Sequence, residues 1–257
     1  MSKNFSDKYL EAWNKRSIHK NMDSLQIPEN KDQAYKIQAG YEKVSNSDLF
    51  GWKIAATSLE GQKHIGVDGP IAGRLLKERF NKSGASISLE KNLMKKVEAE
   101  FAFKLLNDIQ PRSNEYKIDE ILESIDSVGP AIEIPDSRFL NFDKVGGNLI
   151  IADNAYAGDF ILGNKFVSDH KGIGFKDFQV SCYKNHELAE KGIGSNVLGD
   201  PLKALKWIIN ELSSLNIVCK KQQIIITGTC IKPLTVQAGD NIVMDFYELG
   251  KVDCHLT

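Results

Sequence analysis

The sequence is poor in almost every feature that marks a special environment. Its 33 Lys+Arg residues nearly balance 34 Asp+Glu, leaving a net charge of −1. Neither a nucleic-acid partner nor a basic membrane anchor is therefore expected. No stretch approaches the roughly 18 continuous apolar residues of a membrane span. The start, "MSKNFSDKYLEAWNKR", has no apolar core after its first lysine, so it is not expected to act as a secretory signal. Cys182, Cys219, Cys230 and Cys254 show no Cys-x-x-Cys spacing, which argues against a zinc knuckle or a disulfide framework. A reduced, cytoplasmic setting is the simplest expectation. The five histidines include no i,i+4 metal pair. "GIGSNVLGDP" precedes a helix as phosphate loops do, but it lacks the Gly-Lys-Ser/Thr ending and reads as a turn. No repeat, low-complexity tract or long linker is visible.

What is present is ordinary globular material: 257 residues, 42% hydrophobic and 26% charged, enough to bury a sizeable core. Residues 1–47 read as mostly helical. Ser6 and Asp7 are placed to cap a first helix, and Ala34, Ile37, Tyr41 and Val44 form the stripe of a second. "LFGWKIAA" reads as a strand, and Thr57 with Glu60 as a capping box opening a short helix. "GVDGPIAGRLL" is a glycine-rich loop returning to extended chain. Beyond it, strand signals dominate: "SISL", 97–105, "AIEIP", "DFILG", "FQVSCYK", "QIIITG", "NIVMDF" and "KVDCHL". Helices are expected near 117–125 and at "DPLKALKWIINELSSL", the latter with Asp200 as N-cap and Pro201 as its first residue. "AGDN" and "ELGK" read as hairpin turns. The pattern predicts an α+β protein, a β-rich mixed roll with an N-terminal helical portion. A soft boundary near residues 80–84 divides residues 1–80, which carry the Lys53 strand and the glycine-rich loop, from residues 81–257.

Three features carry possible chemistry. In "VEAEFAFKL" (97–105), Glu98 and Glu100 share one face of a strand, roughly 6.5–7 Å apart. Two carboxylates so placed can converge on a hard divalent cation; they equally fit a solvated strand face. Glu133 lies between Ile132 and Ile134, where a carboxylate is expensive to bury unless paired or metal-bound. An exposed sheet face or a pairing with Arg138 would also account for it. Lys53 is flanked by Trp52, Ile54, Ala55 and Ala56. Such surroundings are expected to lower its pKa and suit it to acid/base work, though a lysine on a wet strand face fits too.

Taken together, these stretches resemble the 2-keto-4-pentenoate hydratase group of the fumarylacetoacetate hydrolase superfamily. The matching runs are "GWKIAATS", "GVDGPIAGRL", "VEAEFAFKL", "AIEIPDSR", "IADNAYAGDFILG", "GIGSNVLGDPLKALKWIINEL" and "IIITGTCIKPLTVQAGDNIVMDF", in family order over roughly residues 48–257. The resemblance implies a mixed β-roll catalytic domain over 81–257 and a Mg²⁺ or Mn²⁺ site on Glu98, Glu100 and Glu133. It makes Lys53 the acid/base and gives Asp153 and Asn154 a supporting place. It makes Thr229 a candidate pocket residue; with Arg74 and His64, which the sequence itself brings forward, Asp153, Asn154 and Thr229 are the candidate substrate-binding residues. It implies a 2-hydroxy-2,4-dienoate or 2-oxo acid as partner, homo-oligomeric assembly, and addition of water to give a 4-hydroxy-2-oxo acid in aromatic catabolism. A 2-oxo-enedioate (4-oxalocrotonate) decarboxylase, an acylpyruvate hydrolase and a non-catalytic keto-acid binder are the alternatives. One departure stands out. Family hydratases carry an acidic residue and an aromatic just before the glycine that Gly73 matches. Here Ile71 and Ala72 stand there, and Arg74 follows as a candidate for a second substrate carboxylate.

Overall fold

The computed structural model describes residues 5–19 and 27–257, with side chains from residue 8 onward in the first stretch. The capping expected of Ser6 and Asp7 lies outside the described side chains. The helices are α1 (Phe5–Lys15), α2 (Lys31–Gln38), α3 (Gly40–Val44), α4 (Leu59–Ile65), α5 (Ile118–Leu122), α6 (Gly147–Ala152) and α7 (Pro201–Ser214). The strands are β1 (Gly51–Ala55), β2 (Ile71–Leu75), β3 (Phe80–Lys82), β4 (Ala85–Ile87), β5 (Lys96–Leu105), β6 (Ile125–Ile134), β7 (Asp159–Leu162), β8 (Gln179–Lys184), β9 (Glu187–Ile193), β10 (Ile224–Thr229), β11 (Leu234–Thr235), β12 (Asn241–Asp245) and β13 (Lys251–Leu256). None of the described helices is long and apolar enough to cross a membrane.

Two mixed sheets carry the molecule. The larger runs β2-β1-β10-β5-β6-β7-β3, with β11 also pairing β5; the smaller runs β4-β13-β12-β8-β9. β1 and β2 come from the first 80 residues, yet both are hydrogen-bonded into the larger sheet through β10. The ten-residue strands β5 and β6 form its antiparallel centre. Alternation on β5 sends Val97, Ala99, Phe101, Phe103 and Leu105 to one side, all fully buried. There they join the principal core, where Phe101 meets Phe175, Phe178 and Phe246 edge-on, with centroids 5.2–5.5 Å apart. On the opposite face Leu75, Ala102, Ala131, Phe160, Leu162, Ile224 and Ile226 form a second, smaller cluster. Glu98, Glu100 and Glu133 lie on this second face, at one end of it.

Several local expectations are corrected. The helix expected over 31–44 breaks at Ala39, ahead of Gly40, whose weak helix propensity makes a junction cheap there. Ser58, not Thr57, caps α4: its hydroxyl accepts the Gly61 N–H at 3.0 Å. The turn at "AGDN" lies between β11 and β12, which do not pair, so it is no hairpin. "ELGK" does join the paired strands β12 and β13. Asp200 caps α7, accepting from Leu202 N–H at 2.9 Å. Short strands β3 and β11 were not announced by the sequence, and neither were two further elements. β9, "ELAEKGI", is an exposed, charge-rich edge strand, and α6 is a six-residue helix inside an apolar run. The four cysteines are buried and unpaired; burial pushes the thiols of Cys182, Cys219 and Cys254 up to about 12.

Candidate active site

The register of β5 against β6 sets Glu98 directly opposite Glu133, with Glu100 two residues along on the same face. Each of the three offers a carboxylate oxygen, and these oxygens lie within 4.8 Å of one another. Glu100 and Glu133 are completely buried and Glu98 half-buried. One Glu100 oxygen accepts the Gly228 N–H at 2.8 Å; its other oxygen and both of Glu133's have no hydrogen-bond donor. Gly228 can approach because it has φ +90° and no Cβ: a Cβ there would sit 2.3 Å from Thr57 Oγ1. Burial, reinforced by the neighbouring Glu133, holds the Glu98 carboxyl up at about 7 and lifts Glu100 well above the usual range. Burial also raises Glu133, with Lys53 offsetting part of the effect.

Lys53 supplies the positive charge. It is 2% exposed, and its Nζ lies 3.0 Å from Glu133 Oε2, an ion pair too poorly aligned to be a hydrogen bond. Nζ donates to the Ala155 carbonyl at 3.1 Å. Burial alone would lower this amine, as its apolar flanks suggested. Glu133, Glu98 and Glu100 outweigh burial and hold it above the ordinary lysine value. The expectation of a lowered pKa is therefore corrected.

The acceptor for Lys53 sits in unusual backbone. Asn154, Ala155 and Tyr156 have φ of 58°, 52° and 57°, three consecutive non-glycine residues in the left-handed region. Each costs about 1–2 kcal/mol, so the surroundings must hold the turn in place. Arg138 does much of this. Its Nε donates to Asp153 Oδ1 at 2.6 Å, one terminal nitrogen to the Asp153 carbonyl at 2.6 Å, and its backbone N–H to Asp153 Oδ2 at 3.1 Å. From the other side Asn154 grips the backbone of β2: its Oδ1 accepts Arg74 N–H at 2.7 Å and its Nδ2 donates to Arg74 O at 2.9 Å. Asp153 and Asn154 thus brace the turn, their side chains engaged by Arg138 and by the backbone of Arg74. Gly73 leaves the passage for the lysine: a Cβ on it would lie 2.7 Å from Asn154 O and 3.0 Å from Lys53 Cδ.

The remaining predicted residues are not drawn into this cluster. Arg74 pairs with Trp52 in register and so takes the face of the sheet away from Lys53, which pairs with Gly73. Its guanidinium stacks on Trp52, 4.8 Å from the ring centre, and bonds Glu42 and Gln38, each at 2.5 Å. His64 lies exposed on α4, a helix with no buried residue. Thr229 is half-buried opposite Glu100, but its hydroxyl donates to Ile231 O at 2.9 Å within its own turn. Sequence reasoning did not single out Gly73 or Gly228 as site residues, and it offered Arg138 as a partner of Glu133, whereas Arg138 pairs with Asp153 and Glu133 with Lys53. The signal for Arg138 was present in the run "PDSR", where a charge follows an apolar strand.

A separate cleft of about 740 Å³ opens beyond the lysine. The loop Gly66–Pro70 and the segment Val145–Leu149 form its walls, with Ile71 and Ile151 beneath.

No family model matches the chain. Individual relatives do. A 2-keto-4-pentenoate hydratase of Dechloromonas aromatica is 30% identical over 242 residues, covering 92% of this chain and 89% of that protein. The chain belongs to the 2-keto-4-pentenoate hydratase group of the fumarylacetoacetate hydrolase superfamily. The superfamily that the spaced motifs resemble is thus the one the chain falls in, and the α+β class stands with it. Also within reach of the group is a 2-oxo-hept-4-ene-1,7-dioate hydratase of Escherichia coli, 27% identical over 90% of this chain and 89% of that one. Among solved structures, 4-oxalocrotonate decarboxylase from Pseudomonas putida G7, complexed with magnesium and adipate, superposes with TM-score 0.86. It is 25% identical, covering 98% of this chain and 96% of that one.

Proposed function

We propose that the protein is a metal-dependent hydratase that adds water to a 2-hydroxy-2,4-dienoate or its 2-oxo-alkenoate tautomer, yielding a 4-hydroxy-2-oxo acid. One observation carries the reading: two fully buried carboxylates and a half-buried third meet at a buried lysine that is itself oriented by a strained carbonyl. Such a cluster is unfavourable unless something positive joins it. The oxygen-only donor set and the Glu100 and Glu133 oxygens that lack a hydrogen-bond donor fit a hard divalent ion, Mg²⁺ or Mn²⁺, held by Glu98, Glu100 and Glu133. Such an ion, when bound, would neutralise the carboxylates and polarise an oxygen of the substrate.

The chain's own groups supply the rest. Alone, the three glutamates hold the Lys53 amine above the ordinary lysine value; an ion bound among them would offset that pull and bring the amine nearer to neutral-pH proton transfer. The amine is thereby suited to protonate a substrate carbon as the dienol becomes a ketone, and to take a proton back in the reverse sense. The Ala155 carbonyl fixes the direction of that N–H. The second apolar cluster fills the remainder of the same sheet face, and the amine itself is almost entirely shielded from solvent. Protonation of the dienol at C5 gives the 2-oxo-3-enoate, water then adds its oxygen at C4 and a proton at C3, and nothing leaves.

The likeness to 4-oxalocrotonate decarboxylase favours decarboxylation of a 2-oxo-enedioate as the second reading. Product analysis separates the two. With Mg²⁺ and a 2-hydroxy-2,4-dienoate, the expected product is the 4-hydroxy-2-oxo acid, without loss of carbon dioxide. Glu100→Gln should abolish turnover while leaving the circular dichroism unchanged. Carbon dioxide release from an enedioate with no hydration of any dienoate would favour the decarboxylase. Wild-type turnover in excess chelator would remove the metal from the reading.

A further inference from the structure

The N-terminal helices reach further into the chemistry than their place in the chain suggests. Strand β2 ends the larger sheet, so the backbone groups of its alternate residues point away from β1 with no strand to receive them. Ala72 and Arg74, the two residues so placed, are nonetheless served. The Ala72 N–H donates to Tyr35 Oη at 3.1 Å, and the Ala72 carbonyl accepts from Gln38 Nε2 at 2.9 Å. The Asn154 amide does the same for Arg74. Side chains thus stand in for a neighbouring strand. Tyr35 and Gln38 lie three residues apart on α2, hence on one face of it, and are 4% and 0% exposed. At such burial a bond left unmade would strand a polar group away from water.

Between the two sealed residues lies Gly73. The Lys53 side chain passes directly against it: a Cβ on Gly73 would lie 3.0 Å from Lys53 Cδ. Gln38 Nε2 also donates to Ile151 O at 2.9 Å, in α6, two residues before Asp153. One buried amide therefore ties β2 to the helix that runs into the Asn154–Tyr156 turn, where Ala155 O receives the Lys53 amine. Its Oε1 is used as well, accepting from Arg74 Nη1. With both N–H donors and the oxygen engaged, the amide has one orientation. The Gln38 bonds end on Ala72, Ile151 and Arg74, so its effect on the chemistry runs through Gly73 and the turn. We propose that Tyr35 and Gln38 are positioning residues for the proton transfer that the hydratase reading gives to Lys53. They fix both walls of the passage through which the amine reaches Ala155 O, which makes α2 part of the catalytic apparatus and not an appended helix.

The test uses Tyr35→Phe and Gln38→Met in the Mg²⁺-loaded protein, which keep the bulk of each side chain and remove its polar atoms. Each should lower kcat for a 2-hydroxy-2,4-dienoate at least about tenfold while KM stays within about twofold, as expected of lost alignment rather than lost binding. Tyr35→Phe removes a single acceptor and carries the test alone should Gln38→Met not fold. Ile208→Ala, in the principal core on α7, controls for stability. Its urea midpoint should fall at least as far as theirs, with kcat within about twofold of wild type. A kcat within about twofold of wild type in Tyr35→Phe and Gln38→Met, or a loss no greater than that of Ile208→Ala, overturns the proposal. Deuterium uptake at C3 of the non-reacting 2-oxopentanoate, followed by NMR, reads the lysine without hydration. If the wild type hydrates no dienoate, the hydratase reading fails. Exchange slowed about tenfold in the two variants would still sustain the positioning role, and unchanged exchange would overturn it. A wild type that neither hydrates nor exchanges overturns both.

Discussion

At Lys53 two opposing effects meet on one atom. Burial favours the neutral amine, while three glutamates favour the ammonium, and the glutamates win. The same residue is the side-chain cation paired with buried Glu133 among the described residues. Lys53→Met is expected to lose proton exchange at C3 of a bound 2-oxo acid, read as deuterium uptake by NMR; undiminished exchange would take Lys53 out of the reaction. Arg138 is a different kind of residue, touching no part of the glutamate cluster. It neutralises Asp153, which is fully buried, and ties that residue's carbonyl and carboxylate together. Arg138→Met should therefore cost about 3–5 kcal/mol, the size expected when one partner of a buried pair is removed. The urea midpoint measures it, and a loss below about 1 kcal/mol would mean the strained turn is held by other contacts.

At the scale of elements, the strand β5 was legible because its alternation is local: the glutamates and the packing side chains separate at every second residue. Glu133 was legible for the same reason, as a charge inside an apolar strand. Their meeting came only from the family resemblance. That Glu98 stands opposite Glu133 follows from the register of two strands some thirty residues apart in sequence, which no local pattern encodes. The turn at Asn154–Tyr156 was hidden for another reason: it uses left-handed backbone without glycine, so composition does not announce it. Arg74 misled because a cation beside the glycine-rich loop looks available, whereas strand alternation turns it to the opposite face. Gly73 shows how tightly these elements are fitted. Gly73→Ala would drive a methyl group against Asn154 O and Lys53 Cδ. A displacement of the amine by about 1 Å should lower kcat on the order of 100-fold, with far-ultraviolet circular dichroism unchanged. A variant with full kcat would show that the turn yields without moving the lysine.

Across the whole molecule, the N-terminal helices are fastened to the sheets by groups whose charge state matters. His19 packs edge-on to Tyr9 at 5.4 Å and beside Phe139 at 5.1 Å, and its backbone N–H donates to Arg138 O at 2.7 Å. Burial, with Arg138 and Lys8 nearby, lowers its pKa from 6.5 to about 4. The unfolded chain binds a proton at this ring below about 6.5, and the folded chain does so only below about 4. Stability contributed by the neutral ring is thus complete above pH 6.5 and is lost as pH falls toward 4, after which it changes no further. Discounted for the solvent that reaches the ring, the loss comes to about 1–2 kcal/mol. His19→Phe keeps an aromatic ring against Tyr9 and Phe139 and removes the titration. Urea midpoints of the two proteins, measured from pH 7 to pH 4, should diverge, with the wild type falling faster between 6.5 and 4 than the variant. Parallel curves over that window would mean that the ring is as free to bind a proton in the folded protein as in the unfolded chain, and that the attachment of α1 is indifferent to acid.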